Sequence, residues 1–206
     1  MENLEIPDDL MSFQMEPFNG DKFIQMRMAR FAIEFPDAIA IETGTCIASS
    51  TVFLARHFKK VYTIENNRRF YAYSIKRVGD AGLTNVELTL GGSERALPLI
   101  LFKEDLPKDV VFFLDAHWGN FCPLESELTA ISMAGIENPI IAIHDWKVVG
   151  SNLGYDNYNG QDFDIEWIRP YLNDIYPNGF KYETNNDQES MGAKRGIIYI
   201  SSADPA

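Results

Sequence analysis

A single doubly wound α/β domain, with a mostly parallel seven-stranded sheet and an antiparallel C-terminal strand pair, is predicted by three features of the sequence. Short β-type runs alternate with longer segments of helical periodicity, the pattern of a parallel sheet covered by helices on both sides. The runs VVFFL (110–114) and PIIAI (139–143) are continuously apolar, as expected for strands buried on both faces. The 206 residues, 46% hydrophobic and 23% charged, suffice for one sizeable core.

Each element has its own reason. Residues 1–20, rich in Met, Phe, Pro and acids, are expected to form a partly irregular arm. AIAI (38–41) reads as the first strand, and STVFLARHF (50–58) carries apolar residues at helical spacing. VYTI (61–64) is the second strand and is followed by the charged helix NRRFYAYSIKRVGDAG. VELTL (86–90) is the third, followed by the helix ERALPLILF. Between the two apolar runs lies CPLESELTAIS, where Pro123 suits a first helical turn and Leu124, Leu128 and Ile131 share one face. GSNLGYDNYNGQ (150–161) reads as a polar loop too rich in Gly and Asn for regular structure, either a mobile lid over a site or disordered. DFDIEWIRPYLNDIY reads as a helix interrupted at Pro170. FKYET (180–184) and GIIYI (196–200) close the sheet as a strand pair, and Lys194 and Arg195 before the last strand read as surface charges.

Composition excludes several classes. The net charge of −12 argues against a nucleic-acid partner, which usually needs a positive footprint. The basic cluster Lys59, Lys60, Arg68, Arg69, Lys76 and Arg77 reads as a solvated helix face. No apolar run approaches the length of a membrane span, and the acidic start MENLEIPDDLM lacks a secretory pattern. Cys46 and Cys122 are too few for a disulfide framework, so a reducing, cytoplasmic setting is expected. Oligomeric state is not legible.

The stretch AIAIETGTCIASST (38–51) is the most informative. An apolar run ends in Glu42 and enters a small-residue turn before a Ser/Thr-rich helix start, the layout of a nucleotide-binding turn. Only Gly44 stands where such turns usually carry several glycines; Cys46 and Ala48 occupy the other places. A dinucleotide needs those glycines because its pyrophosphate must approach the backbone closely. An acid at the mouth would also repel it. S-adenosylmethionine removes both objections, having an adenosine, no phosphate, and a cationic ammonium and sulfonium.

IETGTCIASST resembles the first motif of class I S-adenosylmethionine-dependent methyltransferases, a Rossmann-like fold, and VYTIEN is similar to their second-strand motif. LTLGGSERALP resembles the third-strand segment. VVFFLDAHW and PIIAIHDW resemble the strand ends of the small-molecule O-methyltransferase branch, of catechol and macrolide-sugar type. The resemblance implies that Glu42, Gly44, Thr45 and Ser50 line the cofactor turn, that Glu65 takes the ribose hydroxyls, and that Gly92 and Ser93 lie along the adenine. It also implies that Asp115 flanks the cofactor.

Beyond the cofactor, Asp115 and His117 follow one buried strand and His144 and Asp145 end another. Acids stranded after apolar runs are costly unless they meet a partner or ligand, so their convergence reads as a site. Matching the branch gives Asp115, His144 and Asp145 as ligands of Mg²⁺, or of the softer Mn²⁺ because His144 departs from an all-oxygen set. The metal-free alternative has His117 or His144 as general base with Asp145 orienting it, and a structural hydrogen-bond network is the third reading. Trp118, Trp146, Tyr155 and Tyr158 are candidate rim aromatics for a small-molecule acceptor. The expected activity is methyl transfer to a hydroxyl oxygen. An NAD-dependent oxidoreductase and a non-catalytic cofactor-binding module are the alternatives.

Overall fold

A computed structural model of the chain describes residues 15–103, 105–117 and 120–203. Its seven-stranded sheet runs in the order β3-β2-β1-β4-β5-β9-β8. The strands are β1 (Ile39–Thr43), β2 (Val61–Glu65), β3 (Val86–Leu90), β4 (Asp109–Leu114), β5 (Asn138–His144), β8 (Phe180–Thr184) and β9 (Ile197–Ser202). β1 to β5 pair in parallel. β9 is antiparallel to both β5 and β8. The order reverses between β1 and β4, which opens a crevice at the carboxyl ends of these strands, where ligands of such sheets bind.

Alternation along the strands divides the core. Ile41, Ile64, Phe112, Leu114, Ile141 and Ile143 face α4 (Ser93–Lys103), α5 (Leu124–Ala134) and α6 (Ile165–Ile175). Ala40, Val61, Val111, Phe113, Ile140 and Tyr199 face α1 (Lys22–Glu34) and α2 (Ser49–Ala55). α3 (Arg68–Asp80) lies against β2 and β3. Asp21 caps α1, accepting from the N–H groups of Phe23 and Ile24, and Asn67 caps α3 in the same way. No helix among the described residues is long and apolar enough to cross a membrane.

Three sequence expectations are corrected. β1 extends through Glu42 to Thr43, so the carboxylate belongs to a buried strand. α6 is continuous through Pro170; its apolar face, including Ile168 and Leu172, stays buried despite the lost N–H. The 150–161 segment has regular structure: β6 (Asn157–Tyr158) and β7 (Gln161–Asp162) form an antiparallel pair around Asn159-Gly160. Both turn residues have positive φ, 55° and 87°, as a tight hairpin of this twist requires. A Cβ on Gly160 would meet open space, so only backbone strain opposes it. Gly160→Ala is therefore expected to cost about 1 kcal/mol in urea unfolding. Of the N-terminal arm, residues 1–14 lie outside the described residues, while Pro17–Gly20 form a 3-10 turn that buries Phe18.

Candidate active site

The turn after β1 keeps a glycine-type backbone without the glycines. Gly44, Cys46 and Ala48 all have positive φ, 85°, 51° and 61°. A side chain in this region costs about 1–2 kcal/mol. At Cys46 and Ala48 the surroundings hold it. Cys46 N–H donates to Glu65 Oε2 at 2.7 Å, and Cys46 O accepts from Ser74 Oγ at 2.8 Å. Arg77 Nη1 donates to Ser49 Oγ at 2.8 Å and to Ile47 O at 3.3 Å, and Nη2 to Met15 O at 3.1 Å. Arg77 is thus a brace for this turn rather than part of a solvated face. Lys59, Lys60 and Lys76 of the same cluster are paired with Asp37, Glu87 and Asp80. At Gly44 no side chain is possible, since a Cβ would lie 2.2 Å from Asp115 O.

Glu42 does not reach the mouth of the turn. It is fully buried on the α2 side of the sheet. Thr51 Oγ1 donates to its Oε2 at 2.5 Å, and Thr63 Oγ1 donates to the same oxygen at 2.7 Å. Thr45 and Thr63 hydroxyls are 2.6 Å apart, so Thr45 donates into this relay. Burial outweighs the hydroxyl donors and pushes the Glu42 carboxyl up to about 8. Glu42 Oε1 has no hydrogen-bond partner. The sequence alone suggests an acid at the mouth of the turn, facing the cofactor. Strand alternation puts it under the turn instead, as a largely neutral group at neutral pH.

Of the other residues expected around a cofactor, Glu65 ends β2 and is buried. Its Oε2 accepts from Cys46 N–H and its Oε1 from Asn67 N–H at 2.7 Å, while burial raises its pKa. Ser50 Oγ accepts from Phe18 N–H at 2.8 Å and so anchors the N-terminal turn. The Glu94 carboxylate folds back over Gly92, whose Cβ position is 2.3 Å from Glu94 Oε2. Ser93, at the start of α4, is buried beside Glu127 of α5, which sequence reasoning missed. Glu127 has Ser93, Thr43 and His117 as neighbours, and burial raises its pKa. Even so, Ser93 Oγ and Glu127 Oε1 reach no partner at hydrogen-bond geometry.

The acids and histidines after β4 and β5 converge. Asp115 N–H donates to Thr43 O at 3.0 Å, fixing the end of β4 against the end of β1. His117 Nε2 lies 3.2 Å from Asp145 Oδ2 and 3.7 Å from Asp115 Oδ1. His144 Nδ1 lies 3.2 Å from Asp115 Oδ1 and 3.3 Å from Asp145 Oδ1. It lies within ion-pair distance of both carboxylates but in hydrogen-bond alignment with neither. Both histidines are buried. Burial alone would lower their pKa values, but Asp145 and Asp115 win and raise them, His144 well above the ordinary range. Burial would raise Asp145, yet His144 and His117 hold it well below the carboxylate range. Asp145 itself adopts φ 58°. This is strained backbone of the kind found at functional sites.

Arg195 joins this cluster, against the surface-charge expectation. Its guanidinium donates to both Asp145 and Asp156. A sequence reading could have suspected it, because an arginine just before the strand beside β5 lies near the β5 end. Trp146 is also corrected: it is buried in the core, not at a rim, with its N–H on Gly196 O at 2.9 Å. Trp118 lies outside the described residues. Tyr158 stacks on Phe163 at 5.8 Å, Phe163 meets the His117 ring edge-on at 4.7 Å, and Tyr155 is exposed with Lys147 over its ring.

Asp115, His144 and Asp145 each offer a ligand atom within 4.8 Å of the others. The buried nitrogen between two carboxylates, aligned with neither, fits a divalent cation, and a mixed nitrogen–oxygen set suits Mn²⁺ better than Mg²⁺. Asp115, Asp145 and Asp156 outnumber Arg195 by two charges before either imidazole is protonated. Two imidazolium protons or one divalent ion would balance them.

Comparison with known proteins defines the class of fold. The sequence matches no protein-family model and no curated protein. Among solved structures it is similar to a protein from Streptococcus mutans, described as a methyltransferase, in complex with SAH. That match has 17% identity and a TM-score of 0.58, and covers 86% of this chain and 96% of the other. It is also similar to a SAM-dependent methyltransferase from Aquifex aeolicus, at 17% identity and TM-score 0.56 over 91% and 94% of the chains. An rRNA methylase from Streptococcus thermophilus matches at 17% identity and TM-score 0.55 over 85% and 93%. The chain therefore has the Rossmann-like fold of S-adenosylmethionine-dependent methyltransferases, with a seven-stranded sheet in which β9 alone runs against the other strands.

Proposed function

We propose that this protein is an enzyme that transfers the methyl group of S-adenosylmethionine to a hydroxyl oxygen of a small-molecule acceptor. The observation that carries this reading is the convergence of Asp115, His117, His144 and Asp145 beside the Gly44 turn, where the strand order reverses. Glu65 is the ribose acid. Its carboxylate exchanges the Cys46 N–H for the ribose hydroxyls when the cofactor enters. Glu42 serves the turn indirectly, through Thr51 and Thr63, rather than by touching the cofactor.

Methyl transfer is an in-line displacement, so the protein's work is to align the acceptor oxygen with the S-methyl carbon and to remove the hydroxyl proton. Asp145 Oδ2 orients His117, whose imidazole accepts that proton. A divalent ion, held by Asp115, His144 and Asp145, would supply Lewis-acid lowering of the hydroxyl pKa. Tyr158 and Phe163 form an aromatic wall beside His117, suited to the face of a ring-shaped acceptor. The net charge of −12 and the paired state of the surface lysines favour a small acceptor over RNA.

Titration calorimetry with S-adenosylmethionine and with S-adenosylhomocysteine tests the reading. Both are expected to give saturable heats. Folded protein that gives none with either, or that binds NADH instead, overturns it.

A further inference from the structure

We infer that Arg195 is a positioning residue of this site, one that locks the carboxylate of Asp145 and the 150–161 segment into a single unit. The word site rests on the methyl-transfer reading; the lock rests on geometry alone. Arg195 Nε donates to Asp145 Oδ1, and Nη2 donates to Asp156 Oδ1. With Oδ1 so held, Asp145 turns Oδ2 toward His117 Nε2. The planar fork of arginine can serve two carboxylates at fixed angles, which a lysine ammonium cannot.

The path of the side chain is built for this. A Cβ on Gly154 would lie 2.8 Å from Arg195 Nη1 and 3.0 Å from Cδ, so the guanidinium passes over a residue that has no side chain. Gly154 N–H donates to Lys194 O at 3.0 Å, and Gly196 N–H to Gly154 O at 2.9 Å. Asp156 N–H donates to Asp145 O at 2.9 Å, joining the same segment to the end of β5. Tyr158 Oη then donates to Asp156 Oδ2 at 3.3 Å, which carries the lock to the ring stacked on Phe163. A solvated surface arginine would need none of this, and Arg195 is only 27% exposed. The acceptor side of the crevice and the orientation of the His117–Asp145 pair are thus set together by one side chain.

The test uses the full chain, hydrogen exchange, and the side-chain ¹⁵N resonances of His117. In Arg195→Ala, and in Gly154→Ala, which leaves the arginine present but displaced, exchange at Gly154 and Asp156 should rise at least about tenfold. The His117 resonances should shift in both. Arg195→Lys should recover part of each effect. Exchange in β1 and β2, and affinity for S-adenosylhomocysteine, should stay near wild type. Unchanged exchange and unmoved His117 resonances in Arg195→Ala and Gly154→Ala overturn the inference. Should Arg195→Ala not fold, Gly154→Ala and Arg195→Lys decide it by the same readouts. Wild-type protein that binds no S-adenosylhomocysteine refutes the methyl-transfer reading while leaving the exchange result to judge the lock.

Discussion

Glu42→Gln is expected to make the protein more stable at pH 8 and to flatten its stability between pH 4.5 and 8. The carboxyl is fully buried and its pKa is raised from 4.5 to about 8. A group whose folded pKa lies above its unfolded value contributes stability that is complete below the unfolded pKa and is lost as pH rises through the folded one. Glu42 therefore weakens the fold progressively across that window, by up to roughly 4 kcal/mol at its upper end. Glutamine carries no such penalty. Its carbonyl can accept from Thr51 and Thr63 as Oε2 does, while its NH₂ inherits the unpartnered place of Oε1 at a cost of about 1–3 kcal/mol. The variant should thus gain about 2 kcal/mol at pH 8 and be the less stable protein near pH 4.5. Urea unfolding of both proteins from pH 4.5 to 8 measures this; parallel curves would show that Glu42 is ionised throughout.

Asp145→Ala is expected to be the most damaging single change at the site. It removes one carboxylate from beside His117, His144 and Arg195 at once. Removing one member of a buried ionic cluster leaves uncompensated charge, and the loss is about 3–5 kcal/mol. The left-handed backbone at this position adds about 1 kcal/mol, because alanine tolerates it less well than aspartate. Asp145→Asn keeps the backbone preference and the shape, so it should lose less. Denaturant unfolding ranks the three proteins. In whatever fraction remains folded, affinity for S-adenosylmethionine should survive, since the Gly44 turn is built without Asp145. A loss no greater than that of an exposed aspartate would mean that the cluster is not a coupled unit.

Much of the fold was legible because the parallel strands are buried on both faces and therefore write themselves as apolar runs. VVFFL and PIIAI became β4 and β5 nearly to the residue. Boundaries failed where a polar residue sits inside a strand. Glu42 looked like the first residue of a turn, because nothing local reveals that hydroxyls nine and twenty-one residues away will receive it. Pro170 looked like a break because helix propensity is local, whereas the packing of Ile168 and Leu172 is not. The β6–β7 hairpin was legible and was missed: Asn159-Gly160 is a strong tight-turn signal that the surrounding Gly and Asn residues obscured.

The candidate site was legible in its first layer only. Asp115, His117, His144 and Asp145 stand out as polar groups stranded at the ends of apolar runs, and the structure brings them together. Their partners do not stand out. Arg195 lies two residues before β9, the strand that docks on β5, and fifty residues away in sequence from Asp145. Glu127 is hidden in an amphipathic helix, where an acid in the first turn is ordinarily explained by the helix dipole. Periodicity identifies which residues are buried, not which distant chain segments meet them.

The insertion of β9 between β5 and β8 has a consequence for biosynthesis. While residues 1–196 are leaving the ribosome, the free edge of β5 offers the apolar stretch Ile140–Ile143 to any neighbouring strand. Docking of residues 197–202 closes that edge and, in the same event, draws Arg195, two residues upstream, onto Asp145. Nascent chains of this protein are therefore expected to expose the β5 edge, and to lack the Arg195–Asp145 contact, until β9 has docked.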